Sequence, residues 1–65
     1  MDVVRVIYHH EPAGWWAESP DADGWSAAGG SYAEVRRLAE EGVAFALGRE
    51  VAIEHDAPID ERARA

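Results

Sequence analysis

Gly29-Gly30-Ser31-Tyr32-Ala33-Glu34-Val35 decides how the chain is read. Two glycines end an extended run, and Ser31 can accept a hydrogen bond from the amide of Glu34 while Glu34 reaches back to the amide of Ser31, the reciprocal capping box of a helix start. From there Val35, Leu38, Ala39, Gly42, Phe45 and Ala46 recur at spacings of three and four, and Arg36, Arg37, Glu40 and Glu41 fill the other side. Gly48 stands where a left-handed residue usually closes a helix. One amphipathic helix therefore occupies the segment from Ser31 to Gly48.

Upstream, Val3 to His9 is β-branched and aromatic, with Val4, Val6 and Tyr8 on one side and Val3, Arg5, Ile7 and His9 on the other. This reads as a strand buried on one face and partly covered on the second. Glu11-Pro12-Ala13-Gly14 turns the chain, since Pro removes a donor and Gly permits a positive φ. A second strand runs from Trp15 to about Ser19, a loop follows through Gly24, and a third, short strand covers Trp25 to about Ala28. Trp15 and Trp16, being adjacent on a strand, point to opposite faces, so one of them lies outside the main core. After the helix, Val51 to Glu54 reads as a fourth strand, stopped by Ala57-Pro58. The expected fold is an α+β two-layer sandwich of order β-β-β-α-β, with a small antiparallel sheet and the helix on one face. Residues 1–56 form this domain, and 57–65 are a charged, flexible tail.

The 65 residues allow one small domain, which buries only roughly 60% of its unfolded surface. There are no cysteines, so neither disulfides nor thiolate-held zinc can reinforce that core. Thirteen acidic residues against six basic ones give a formal charge of −7, which argues against nucleic acid or an anionic membrane as partner and in favour of a basic protein. The hydrophobic share of 48% places the chain among globular rather than disordered sequences. No run approaches the roughly 20 apolar residues of a membrane span, and no signal peptide is legible, so a cytoplasmic location is expected.

Candidate chemistry is sparse. His9 and His10 diverge at a strand end, and His55 at another strand end would still need Glu11 or Asp56 to complete a zinc site, so surface histidines are the expectation. Asp21-Ala22-Asp23-Gly24 begins like a calcium loop, but its glycine comes too early and Tyr32 stands where a bidentate Glu belongs. Gly29-Gly30-Ser31 could cradle an anion at a helix start, yet no Lys follows, and a capping turn suffices. Ser19, Ser26 and Ser31 sit in no nucleophile elbow. No cofactor, metal or catalytic group is expected, and the chain does not read as an enzyme. The three tryptophans are the more informative feature, because so small a core has little room for three indoles and a partly exposed Trp is a favoured interface anchor.

Gly14-Trp15-Trp16-Ala17-Glu18-Ser19-Pro20-Asp21, then Gly24, then Gly29-Gly30-Ser31-Tyr32-Ala33-Glu34-Val35, together resemble the HicB-like antitoxin family. Members typically show a strand opening with Gly and an aromatic, a Pro-Asp loop ending in Gly, and a Gly with a Thr or Ser cap before an acidic helix. The resemblance runs from Val3 to about Glu54, and departs from the pattern at Ala22-Asp23, where members usually carry Leu-Pro, and at Trp25, where a Cys or small residue is common. It implies a partly degraded ribonuclease H-like fold and a role in bacterial toxin–antitoxin systems, binding and neutralising a HicA-type toxin, a small basic ribonuclease that degrades messenger RNA. Many members add a DNA-binding domain, for which 65 residues leave no room, so a single-domain binding module is expected. Its expected contacts are Trp15, Trp16 and Trp25 as anchors with Glu18, Asp21 and Asp23 as charge partners. Two alternatives are a freestanding domain that dimerises through a strand edge, and a weak ribonuclease H-like hydrolase holding magnesium on Asp2, Glu18 and Glu54.

Overall fold

The computed structural model describes residues 2–58. Four strands and a helix follow in the expected order: β1 (Asp2–Glu11), β2 (Gly14–Glu18), β3 (Ser26–Gly29), α1 (Tyr32–Leu47) and β4 (Val51–Asp56). They form one sheet of order β3-β2-β1-β4 with α1 across one face, a small α+β domain. The tail expected over 57–65 lies outside the described residues from position 59 onward, and Ala57, at 7% exposure, belongs to the core.

The sheet is mixed, which corrects the expectation of an antiparallel one. β1 pairs antiparallel with β2, and β2 with β3, but β1 and β4 run parallel, with Asp2 opposite Val51 and Ile7 opposite Asp56. The helix dictates this. Its 16 residues span about 24 Å, enough to carry the chain from the end of β3 back along the sheet to the end where β1 begins. β4 therefore sets out beside Asp2 in the direction of β1. Parallel strands need a crossover of this kind, whereas the two-residue turn at Pro12-Ala13 suffices for β1 and β2.

That turn is tighter than the sequence suggested, so β1 extends to Glu11, which pairs with Gly14. Gly14 has φ 147°, and a β-carbon there would lie 2.8 Å from the Gly29 carbonyl oxygen; only glycine fits. β3 begins at Ser26 rather than Trp25, because the Trp25 amide closes a turn by donating to the Ala22 carbonyl at 3.0 Å. β4 runs two residues beyond Glu54, paired with Val6 and Ile7.

Val4, Val6 and Tyr8 of β1, Trp15 and Ala17 of β2, and Val35, Ala39 and Val43 of α1 make the core, flanked by Val51 and Ile53 of β4. Ser31 caps α1 by accepting the Glu34 amide at 3.2 Å, and Gly48 closes it at φ 70°, donating to the Ala44 carbonyl at 2.9 Å. The Glu34 carboxylate lies against Gly29. Phe45, expected on the buried stripe, is 88% exposed. At 100° per residue it stands about 120° from the centre of the stripe through Val35, Ala39 and Val43, and that stripe determines the orientation of the helix.

Candidate functional site

One helix covers one side of the sheet. The described residues measure 32 × 21 × 17 Å, and the smallest extent holds a sheet and a single layer on it. The opposite face, expected to be partly covered, bears no other element among the described residues. It displays Val3, Arg5, Ile7, His9 and Glu11 of β1, Trp16 and Glu18 of β2, Ala28 of β3, and Ala52, Glu54 and Asp56 of β4. Val3 is 68% exposed, and Ile7 and Trp16 are half-buried. An apolar centre is thus ringed by four carboxylates against one guanidinium.

Trp16 is held by its neighbours. Its indole stacks on the His9 ring with centroids 4.2 Å apart and planes 16° from parallel, and His9 Nε2 lies 2.7 Å from Glu18 Oε2. The register that places His9 opposite Trp16 makes this stack possible, and Glu18 is two residues along the same face of β2. Arg5 bridges β1 to β4, its Nε donating to Asp56 Oδ2 at 3.1 Å; that bond, chiefly, raises the guanidinium pKa above its ordinary value. Beyond Trp16, Glu11, Gly14, Trp15, Trp16, Ala28 and Gly29 are among the residues lining a groove of about 270 Å³ at the hairpin end of the sheet.

The structure thus brings together Trp16 and Glu18 of the residues expected to bind a partner. Trp15 is 7% exposed, points toward the helix, stacks on His10 at 4.2 Å and meets Tyr32 at 5.4 Å. Trp25 packs on α1, where a β-carbon at Gly42 would lie 2.9 Å from its Nε1. Asp21 finishes the ladder past the end of β2: its Oδ2 accepts the Arg5 amide at 3.0 Å, while Ser19 Oγ donates to the Arg5 carbonyl at 2.6 Å. Asp23 is exposed on the loop. The sequence considered alone offered Glu11 only as a zinc ligand, not as part of a binding face, and did not show the pairing of His9 with Trp16. Both were signalled by the alternation along β1, but seeing them requires the strand register.

A second cluster lies on the helix side. Tyr8 Oη and His55 Nδ1 are 2.6 Å apart, Tyr32 meets the Tyr8 ring edge-on at 4.9 Å, and Glu40 Oε2 lies 3.9 Å from His55 Nε2. Burial, aided by the charge of Arg36 and opposed by Glu40, lowers the His55 pKa, and burial raises that of the Tyr8 phenol. In the tautomer that carries its proton on Nε2, the neutral imidazole accepts a hydrogen bond from the Tyr8 hydroxyl at Nδ1.

The carboxylates of the hydrolase alternative do not converge. Asp2 pairs with Arg49 at 3.1 Å, Glu18 with His9, and Glu54 stands opposite Arg5 with β1 between it and Glu18. Among the described residues no group of three or more His, Asp or Glu is placed to hold a metal ion, and no helix is long and apolar enough to cross a membrane. No family model, no curated protein and no solved structure matches this chain.

Proposed function

We propose that this chain is a protein-binding module whose uncovered sheet face docks a small basic protein, and that it acts as a HicB-like antitoxin masking a HicA-type ribonuclease. The observation that carries the reading is that face: Trp16, Ile7 and Val3 supply apolar area, with Glu11, Glu18, Glu54 and Asp56 around them. Acidic groups around an apolar centre give steering toward a cationic surface, and an indole held in place is an efficient anchor. The helix-capping segment and the Gly14-Trp15-Trp16 strand opening support the family resemblance, and a β-β-β-α-β order accords with a reduced ribonuclease H-like fold.

Co-expression with a HicA-type ribonuclease tests it. The chain is expected to restore growth, to co-purify with the toxin, and to bind it more weakly as salt is raised, because Glu11 and Glu54 are exposed and Glu18 and Asp56 are only partly buried. Failure to form a complex with such a toxin overturns the antitoxin reading. A second reading, dimerisation through β3, is favoured by the small side chains of that edge and is decided by sedimentation of the purified chain.

A further inference from the structure

We propose that the free edge of β3 and the adjoining groove receive an extended, arginine-bearing segment of the partner, its backbone adding a strand to the sheet and one guanidinium lodging between Trp16 and Glu11. This rests on the reading of the chain as a receptor for a basic protein.

The two sheet edges differ. β4 carries Glu54, His55 and Asp56, with Asp56 engaged by Arg5. β3 is Ser26-Ala27-Ala28-Gly29, with neither the charge nor the proline that commonly protects an edge, and among the described residues no strand pairs with its outer side, which suits a strand laid alongside. Strand addition supplies affinity through main-chain hydrogen bonds and leaves specificity to side-chain pockets, and a pocket adjoins this edge.

Register assembles that pocket. His9 covers one side of the Trp16 indole; on β3 the neighbour of Trp16 is Ala28, a single methyl, and both Trp16 and Ala28 line the groove. Glu11 lies opposite Gly14, two residues before Trp16 on the same face, so a carboxylate and an indole flank a floor of glycine and alanine. A guanidinium can stack on the indole and bond to the carboxylate at once. Among the described residues no basic side chain lines the groove, Glu18 adds negative charge on the same face, and the whole chain carries −7, so a cation is favoured there over an anionic side chain.

A short synthetic peptide, alternating Val and Thr around a central arginine, is titrated into the protein alongside the same peptide with citrulline, and amide and indole resonances are followed by NMR. The arginine peptide is expected to shift the amides of residues 26–29 and the Trp16 indole. Citrulline, Glu11→Gln or Trp16→Ala each weakens binding about tenfold, whereas Glu50→Gln, at the other end of the sheet, leaves it unchanged. Equal binding of the two peptides, or shifts centred on β4, overturns the proposal, as do β3 shifts that follow protein concentration alone and so report a second copy at the edge. A toxin that binds wild type and both groove variants equally removes the groove and leaves the receptor reading standing. Peptide binding without toxin binding removes the antitoxin reading and leaves the groove.

Discussion

Burial of His55 couples folding to protonation. Burial holds its folded-state pKa below the ordinary 6.5 that the unfolded chain retains, so between those values the unfolded state binds more protons. Its contribution to stability is therefore complete above pH 6.5 and is lost as pH falls through the depressed folded value. Replacing it by glutamine, whose amide oxygen can still accept the Tyr8 hydroxyl, should flatten this slope; urea unfolding at about pH 7.5 and about pH 5 compares the two proteins. Gly14 is vulnerable for a different reason. Gly14→Ala combines a φ of 147° with a 2.8 Å approach to the Gly29 carbonyl and should cost about 1–3 kcal/mol, measurable by the same method. Neither effect is legible from composition. The glycine announced a turn, but the backbone it nearly touches belongs to a strand fifteen positions later.

The helix shows what periodicity conveys and what it omits. Its start, end and amphipathic character were plain from Ser31, Gly48 and the apolar spacing, because capping is local chemistry. Which of several overlapping stripes faces the sheet was not, since Val35-Ala39-Val43 and a stripe including Phe45 differ by a rotation that only sheet contacts select. Phe45→Ser is accordingly expected to change stability by no more than about 0.5 kcal/mol in thermal melts. Gly42 has the opposite character. Alanine would gain about 1 kcal/mol of helix propensity. Its β-carbon, however, would meet the Trp25 ring nitrogen at 2.9 Å, so Gly42→Ala should destabilise the native protein and alter tryptophan fluorescence. In a Trp25→Ala background the same change should stabilise, a reversal of sign that identifies the contact.

For the whole molecule, the layer order was readable and the strand directions were not. The sequence places three strands before a helix and one after it, but the parallel partner of β4 follows from where the helix deposits the chain. The candidate face was half legible for the same reason. Trp16 had to lie outside the core once Trp15 was inside, while Glu11, His9 and Ala28 join it only through register. The parallel pairing also bears on how the protein is made. It joins the second residue of the chain to the fifty-first, so β1, central in the finished sheet, has one flank bare until nearly the whole described chain has left the ribosome. A chain ending at Gly48 should remain sensitive to proteolysis where the longer chain resists. During synthesis the apolar residues of β1 are then a target for chaperones, and β4, emerging after the helix, acts as the latch that ends that exposure.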